Sequence, residues 1–254
     1  LDGEPGPIHG LRVGAVATGR QQRTTDERQP YCEQTALQRF SRCGSLFHPQ
    51  AHKSNPKKME RQVDSTKEDE MRAAVAATAI LVLDLQPVFL EVVEEGEALR
   101  QRCTLLLEAA ALTEMKTYLT EQVPEKLGGF DEKLGGLAPS APRFAKSAFS
   151  AFGAEGLEDA LRAEGVEHLL LAGVETSVCV YQTGLDARRS GFAVTALTDC
   201  LSCRRVTDGE WALRSLVDAG CHALPLETVF YALLRTAENP LFRDFSQLVR
   251  KYDR

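Results

Sequence analysis

The feature of this sequence that most constrains its fold is a regular alternation of short apolar runs with segments of helical periodicity. Short apolar runs bounded by polar or turn residues are typical of strands that are buried on both faces. Strands that alternate with helices form βαβ units, which place helices on both faces of a parallel sheet. We therefore predict an α/β protein, with a three-layer α/β/α fold around a mainly parallel, Rossmann-like sheet of about six strands.

The predicted elements begin with an apolar strand at Ala76–Leu85 and end with a helix at Pro240–Tyr252. The segment Val123–Pro142 is rich in Gly and Pro and is predicted to be a loop, and Lys146 is expected just before a helix. The other predicted strands are Met115–Thr120, His168–Val174, Phe192–Thr198 and Cys221–Leu226. The other predicted helices are Gly96–Leu112, Gly153–Gly165, Ser177–Ser190, Thr207–Ala219 and Thr228–Ala237.

Residues 1–70 differ in composition from the rest of the chain. They are rich in Gln, Arg, Thr, Pro and Lys and lack helix or strand periodicity, so they bury too little apolar surface to offset the entropy of ordering. We predict a disordered or leader segment over residues 1–70 and one domain of about 180 residues over residues 71–254. The Arg-rich, acid-poor stretch from Arg12 to Lys58 leaves an organellar transit peptide as an alternative.

Composition and charge exclude several classes of partner. The 254 residues are 43% hydrophobic and 26% charged, which is ordinary for a soluble globular protein. A formal net charge of −6 argues against nucleic acid or an anionic membrane as a partner, and no apolar run is long enough to cross a bilayer. Seven cysteines without the spacing of a disulfide scaffold favour a reducing compartment, which we take to be the cytoplasm.

Cys179 is the residue most typical of a chemical site. It follows the apolar strand His168–Val174 and lies in the first turn of the helix predicted from Ser177. In an open parallel sheet, ligands bind at the carboxyl ends of the strands. The helix dipole and the free backbone N–H groups at a helix start favour a thiolate over a thiol. We therefore interpret Cys179 as a candidate nucleophile in its thiolate form.

Two further residues could complete such a site. Asp84 ends the first predicted strand, so its carboxylate is expected at the same edge of the sheet as Cys179. Taken alone, an acid at a strand end is as often a loop or N-cap residue, and a lysine such as Lys146 is more often solvated. Together they make chemical sense, because a carboxylate can take the thiol proton and return it to a leaving group, while an ammonium stabilises the thiolate.

The same residues carry a resemblance to a known family. Asp84–Phe89 matches the D-x-Q-x-x-F opening of the isochorismatase-like cysteine hydrolases. Phe144–Ser150 resembles their lysine segment, and Gly173–Val180 is similar to their nucleophile loop. Thr198–Arg204 also looks like the acidic-serine-arginine strand end of the family. The order of these motifs fits as well, and the resemblance covers roughly residues 76–252.

This resemblance implies a role for each residue of the site. Asp84 would be the general acid and base, Lys146 the cation that activates and orients, and Cys179 the nucleophile. The resemblance also implies a cis peptide bond between Val174 and Glu175, so that the backbone amides of Glu175 and Cys179 form an oxyanion hole. The substrate-binding residues that it implies are Gln86, Phe89, Glu121 and Gln122.

We predict no metal and no other cofactor. Nicotinamidases of this family carry a metal site built on an Asp-x-His motif after the second strand, whereas Tyr118–Pro124 contains no histidine. Only His168 and His222 lie in the predicted domain, and both begin strands at the edge of the sheet opposite Cys179. The segment Thr120–Gln122 instead resembles the isochorismatase domain-containing proteins, a subgroup whose substrates are poorly defined.

The prediction that results is a metal-independent cysteine hydrolase. It would act on a small amide or vinyl-ether-type substrate through a covalent Cys intermediate. The alternative is a non-catalytic interaction or scaffold protein that keeps the fold, and the intact Asp84, Lys146 and Cys179 favour the enzyme. The expected partners are a small-molecule substrate and further copies of this chain in a homo-oligomer, with neither nucleic acid nor membrane.

Two other features have simpler interpretations. Cys200 and Cys203 have the spacing of a redox or zinc motif, but no second cysteine pair lies at a suitable spacing in the domain, so we predict ordinary core or edge thiols. Trp211 lies in the predicted helix Thr207–Ala219 and is expected to pack against the domain rather than to stack on a ligand.

Overall fold

A computed structural model describes residues 68–252 of the chain. The leader predicted for residues 1–70 lies outside the described residues except for its last positions, which begin helix α1 (68–76). This helix runs across the predicted domain boundary at residue 70, and its partly buried Met71 packs against the core. Within residues 68–252, no helix is both long enough and apolar enough to cross a membrane.

In the described part of the chain, six strands form one sheet in which every neighbouring pair is parallel. They are β1 (Thr78–Leu83), β2 (Lys116–Gln122), β3 (Arg143–Lys146), β4 (His168–Val174), β5 (Ala193–Ser202) and β6 (His222–Leu224). Their spatial order is β3-β2-β1-β4-β5-β6. Helices flank this sheet, so the predicted three-layer α/β/α fold with a parallel sheet is confirmed.

The connections between the strands are helical. After β1 come α2 (Pro87–Leu90) and α3 (Gly96–Thr113), and after β2 come α4 (Pro124–Leu127) and α5 (Glu132–Leu137). A 3-10 turn (Ala151–Gly153) and α6 (Leu157–Ala163) follow β3, and α7 (Tyr181–Arg189) leads from β4 towards β5. After β5 comes α8 (Val206–Asp218), and β6 is followed by α9 (Leu226–Leu234) and α10 (Phe242–Tyr252).

The strand order places a crevice at the middle of the sheet. From β1 the chain moves outwards to β2 and β3, then returns to pair β4 with the other side of β1 before moving outwards again to β5 and β6. The carboxyl ends of β1 and β4 therefore flank a topological switch point, which is where open α/β sheets bind ligands.

The core lies on both faces of β1, all of whose residues are buried. Because side chains alternate along a strand, Ile80 and Val82 enter one hydrophobic cluster, which α3, α9 and α10 complete. Leu81 and Leu83 enter a second cluster on the opposite face, together with residues of α6 and α7. Both faces of the central strand are thus covered, which fixes where its carboxyl end lies.

The prediction of a loop over Val123–Pro142 is wrong in part. It contains the short helices α4 and α5. Lys146 does not precede a helix but ends the edge strand β3, which the sequence did not predict. Only Lys146 is buried in that strand, whereas Arg143 and Ala145 are exposed, so no apolar run marks it as a strand.

Two further expectations need correction. The helix predicted from Ser177 begins with a π-helical turn at Thr176–Val180, and its regular α-helical part is α7. Trp211 does not pack into the domain, because its side chain is 63% exposed and the Arg214 guanidinium lies 4.9 Å from its ring.

Candidate active site

The side chains of Asp84, Lys146 and Cys179 meet at the carboxyl edge of the sheet. Asp84 follows β1, Lys146 ends β3, and Cys179 lies in the π-helical turn Thr176–Val180 after β4, called here the nucleophile turn. The Lys146 Nζ atom lies 2.7 Å from Asp84 Oδ2 and 3.7 Å from Cys179 Sγ. The three residues are 1%, 4% and 7% exposed, respectively, so the cluster is nearly closed to solvent.

Oxygen atoms surround the Lys146 ammonium. Its Nζ atom donates to Asp84 Oδ2 (2.7 Å), Gln122 Oε1 (2.5 Å) and the backbone carbonyls of Phe149 (3.1 Å) and Ala148 (3.3 Å). An ammonium has donors only, and each of these four oxygen atoms can accept a hydrogen bond. The Lys146 Nζ atom therefore contacts both the carboxylate and the thiol.

The Asp84 carboxylate is held from two sides. Its Oδ2 atom accepts from Lys146, and its Oδ1 atom accepts from the Thr120 hydroxyl at 2.7 Å. The Asp84 backbone has a positive φ of 54°, a left-handed conformation that costs energy for a residue with a side chain. Backbone strain of this kind is concentrated at functional sites, where the surrounding contacts maintain it.

Cys179 rests as a thiol, and the expectation that the helix start favours its thiolate is wrong. The pKa of Cys179 is raised to about 12: burial is the largest cause, the nearby Asp84 carboxylate adds to it, and Lys146 opposes both. Desolvation disfavours the charged sulfur more than a single ammonium can offset. Ionisation of this thiol near neutral pH would therefore need a base at the site, and that Asp84 is this base stays a prediction.

The nucleophile turn is anchored through Glu175, which immediately precedes it. The Glu175 carbonyl accepts from the backbone N–H groups of Val178 at 3.0 Å and Val180 at 3.1 Å. The peptide bond between Val174 and Glu175 is cis. The hydroxyl of Thr176 donates to the carbonyl of Ser202 at 3.0 Å, so the turn is also tied to the end of β5.

Gln86 braces the site from within the protein. It is fully buried, and its Nε2 atom donates to the carbonyls of Gln122 at 3.0 Å and Gly128 at 2.5 Å. Its Oε1 atom accepts from the Gln122 N–H at 2.7 Å. These hydrogen bonds connect the segment after β1 to the end of β2. Both the nitrogen and the oxygen of the Gln86 amide therefore have hydrogen-bond partners within the protein.

The other residues implied in substrate binding lie around the trio. The Gln122 side chain contacts Lys146 directly, whereas Glu121 accepts from the Phe130 N–H at 2.8 Å and holds the chain beyond α4. Phe89 is half-buried and packs against the core cluster of α3. Substrate contact by Gln86, Phe89, Glu121 and Gln122 stays a prediction.

Sequence reasoning missed Thr120 as a member of the site and missed the way in which Gln122 takes part. These residues are two apart on β2, so both side chains lie on the same face of the strand, and there they contact Asp84 and Lys146. The available signal was a pair of polar residues at the carboxyl end of a strand that is buried on both faces. That signal becomes specific only when β2 is known to lie between β1 and β3.

The histidines and the Cys-x-x-Cys pair lie apart from the trio. His168 begins β4, at the opposite edge of the sheet, and its Nε2 atom lies 2.9 Å from Thr195 Oγ1. Cys200 and Cys203 are buried thiols. Among residues 68–252, no group of three or more His, Cys, Asp and Glu side chains is placed to hold a metal ion. The metal-free site stays a prediction.

Comparisons with known proteins find similarity across the region that holds the site. The family model described as Isochorismatase domain matches residues 78–228. Isochorismatase domain-containing protein 2 of Bos taurus is 30% identical over 182 residues, which are 71% of this chain and 86% of the relative.

Solved structures are similar over about 70% of the chain. One described as the MAR1 ribonuclease from Caenorhabditis elegans has a TM-score of 0.65 and 29% identity, over 69% of this chain and 90% of that one. The YcaC gene product from Escherichia coli, described as an octameric hydrolase of unknown specificity, has a TM-score of 0.63 and 25% identity, over 70% and 95% of the two chains.

Proposed function

The chain belongs to the isochorismatase family, and from this premise we propose that it is a metal-independent cysteine hydrolase of small amide or vinyl-ether-type substrates. The nucleophile is Cys179, with Asp84 as general acid and base. One observation carries the proposal: a buried ion pair between Lys146 and Asp84 lies in contact with the thiol of Cys179. Burying two charges is costly, so such a pair beside a nucleophile is typical of a functional site.

For an amide substrate, the first half of the reaction forms a thioester. Asp84 takes the proton from Cys179 as the sulfur bonds to the carbonyl carbon, and Lys146 stabilises the charge that develops on the sulfur. The carbonyl electron pair moves onto the oxygen, which the backbone amides of Glu175 and Cys179 stabilise as an oxyanion hole. The intermediate then collapses, the C–N bond breaks, and Asp84 returns the proton to the leaving nitrogen.

The second half of the reaction releases the acid. Asp84 takes a proton from a water molecule as the water oxygen attacks the thioester carbon. The new tetrahedral intermediate expels the sulfur of Cys179, which regains its proton from Asp84. The carboxylate therefore serves once as base and once as acid in each half, and the enzyme returns to its starting state.

The proposal is tested with a panel of candidate substrates. We would assay isochorismate, nicotinamide, N-carbamoyl compounds, simple ureides and a short RNA, the last because one relative is described as a ribonuclease. Turnover should disappear in Cys179→Ala and persist in Cys221→Ser, a matched control in which another buried free thiol is replaced. Retained turnover in Cys179→Ala would exclude the covalent mechanism. Loss of turnover throughout the panel would favour the alternative, a non-catalytic scaffold.

We further propose that the chain works as a homo-oligomer in a reducing compartment such as the cytoplasm. Helix α8 exposes large apolar side chains, with Val206 57%, Trp211 63% and Val217 49% exposed. Exposed large apolar side chains are often found at contacts between subunits, and the Escherichia coli relative is described as octameric. The five cysteines of the described residues are free thiols, as a reducing compartment requires. Light scattering should give a multiple of 27.9 kDa, and a monomer at micromolar concentration would contradict the assembly.

A further inference from the structure

Arg204 contacts the nucleophile turn from outside the catalytic trio. Its Nε atom donates to Glu175 Oε1 at 2.9 Å and to Oε2 at 3.0 Å, and its backbone N–H donates to Oε2 at 3.2 Å. Glu175 is the residue that precedes the turn and whose backbone amide is proposed to bind the oxyanion. The ion pair therefore ends on the side chain of an oxyanion-hole residue.

The contacts of Glu175 fix both its side chain and its main chain. The carboxylate is held by Arg204, while the carbonyl is held by the N–H groups of Val178 and Val180. With both ends of the residue restrained, its backbone has little freedom to rotate. The direction of the amide N–H groups at the start of the turn therefore depends on the position of the Glu175 carboxylate.

The segment that carries Arg204 is itself anchored, so it can serve as a fixed support. The hydroxyl of Ser202 donates to the carbonyl of Glu94 at 2.6 Å, and the Glu94 N–H donates to the carbonyl of Cys203 at 3.0 Å. Gly209 of α8 packs so closely that a Cβ atom there would lie 2.6 Å from Cys203 Sγ. The end of β5 is thus held from α8 and from the chain before α3.

We propose that Arg204 is a positioning residue for the hydrolysis, whose ion pair with Glu175 keeps the amides of the nucleophile turn directed at the oxyanion. The inference rests on the proposed function, and Arg204 acts through Glu175 without touching the substrate. The Arg204 side chain is 60% exposed and that of Glu175 is 14% exposed, so the pair lies at the boundary with solvent. Salt weakens ion pairs in such positions, which gives the inference a direct test.

A small aldehyde tests the oxyanion hole without knowledge of the natural substrate. Butyraldehyde adds to a thiol: the sulfur bonds to the carbonyl carbon, and the thiol proton moves to the oxygen, which then occupies the oxyanion position. The apparent dissociation constant is measured from the protection that the aldehyde gives Cys179 against iodoacetamide at about pH 9. Mass spectrometry of the Cys179 peptide reports the labelling.

Arg204→Ala should weaken aldehyde binding by ~10-fold, because misdirected N–H donors bind the oxygen of the adduct less well. The rate of Cys179 labelling without aldehyde should stay unchanged, since the trio is intact. Where a panel substrate is turned over, kcat should fall with little change in KM. Arg205→Ala is the matched control: Arg205 is 79% exposed and pairs with Asp208 at 2.6 Å, so its loss should leave aldehyde binding as in the unmodified chain.

The salt series and a second variant cover a failure of Arg204→Ala to fold. In about 1 M NaCl the Debye length is about 3 Å, so the ion pair should be screened. The unmodified chain should then bind the aldehyde as weakly as Glu175→Gln does. Aldehyde binding by Glu175→Gln should itself change little with salt. Equal aldehyde protection in Arg204→Ala and the unmodified chain, with no effect of salt, overturns the inference. Absence of aldehyde protection in the unmodified chain, with no Cys179-dependent turnover, instead overturns the proposed function and the inference with it.

Discussion

At the scale of single residues, the site depends on where its protons rest. The Cys179 thiol is buried, and the Lys146 Nζ atom contacts both this thiol and four oxygen atoms, one of which is Asp84 Oδ2. A thiol with a pKa of about 12 is a poor nucleophile near neutral pH. In the proposed mechanism the sulfur becomes reactive when Asp84 accepts its proton during attack, so we expect the resting thiol to resist unspecific alkylation and oxidation.

The first prediction concerns Asp84→Asn. Asp84 raises the pKa of Cys179 by its charge and its hydrogen bond, so its neutralisation should lower that pKa below about 12. Iodoacetamide labelling of Cys179 at a fixed pH should then become faster, by ~10-fold for each unit by which the pKa falls. Turnover should be lost, because the proposed base is gone. The measurement is a pH series of labelling rates for the Cys179 peptide.

Cys221 provides the internal control for this experiment. Burial raises its pKa to about 11, and Asp84 is not among the groups that perturb it. Its labelling profile should therefore be the same in both proteins. Slower labelling of Cys179 in Asp84→Asn would show that the carboxylate activates the resting thiol rather than suppressing its ionisation.

The second prediction concerns Gln122→Leu. Gln122 Oε1 accepts from Lys146, and its Nε2 atom donates to the carbonyl of Ser147 at 3.0 Å. Removing a buried acceptor from an ammonium should lower the free energy of unfolding by ~1.5–3 kcal/mol. Turnover should fall as well, because Lys146 loses one of the groups that orient it. Urea unfolding and steady-state kinetics measure the two effects.

Gln182→Leu is the matched control, because Gln182 lies exposed on α7. An exposed substitution of this kind usually changes the free energy of unfolding by ~0.5 kcal/mol or less. If Gln122→Leu had no larger effect than Gln182→Leu on stability and turnover, Gln122 would not be positioning Lys146.

At the scale of elements, the sequence predicted strands that carry an apolar run and missed a strand that lacks one. The bounds of β4 agree with the prediction at His168–Val174, because all its residues except the half-buried His168 are buried. The edge strand β3 has one buried residue, Lys146, so its identity as a strand depends on pairing with β2. Pairing of this kind is a property of the fold and has no local signal.

The candidate site shows the same difference between what the local sequence indicates and what the fold determines. The motifs around Asp84, Lys146 and Cys179 indicated three side chains for one site, and the structure brings those side chains into contact. The sequence did not indicate Thr120, because the role of this residue depends on the neighbouring strand. The prediction of a thiolate at Cys179 is wrong, because the protonation state of the sulfur depends on burial. Local sequence indicated the reactive groups, whereas strand order and desolvation set their properties.

The third prediction concerns Gly173→Ala in β4. Gly173 has a φ of +107°, and a Cβ atom there would lie 2.0 Å from the carbonyl oxygen of Leu83 in β1. The strands would have to separate beside Asp84, at the carboxyl ends that form the site. We expect a loss of at least ~3 kcal/mol in the free energy of unfolding, together with loss of turnover. Urea unfolding measures the first effect.

Gly191→Ala separates steric contact from backbone strain. Gly191 also has a positive φ, of 88°, but a Cβ atom there would have no neighbour within 4 Å. That substitution should cost only ~1 kcal/mol and leave turnover intact. Equal costs for the two variants would show that the close approach of β4 to β1 at Gly173 contributes nothing to stability.

At the scale of the whole molecule, the two edges of the sheet have different titration behaviour. The trio lies at the carboxyl edge, while His168 and His222 begin strands at the amino edge. Burial, the larger cause, and repulsion by His222 together lower the pKa of His168 from 6.5 to about 4. Because His168 lies at the opposite edge of the sheet from Cys179, we expect the stability of the fold and the activity to depend on pH through different groups.

The fourth prediction concerns stability in acid. Between about pH 4 and 6.5, His168 is neutral in the folded state and protonated in the unfolded chain, so the unfolded state binds more protons and stability rises with pH. The contribution of His168 is complete above pH 6.5 and is lost as the pH falls through about 4, amounting to ~3 kcal/mol over this range.

Urea unfolding at a series of pH values should show this slope above the background from carboxylates. In His168→Gln the slope should decrease, whereas His222→Gln should keep most of it, because burial is the larger cause. An unchanged slope in His168→Gln would assign the acid sensitivity of the fold to its carboxylates alone.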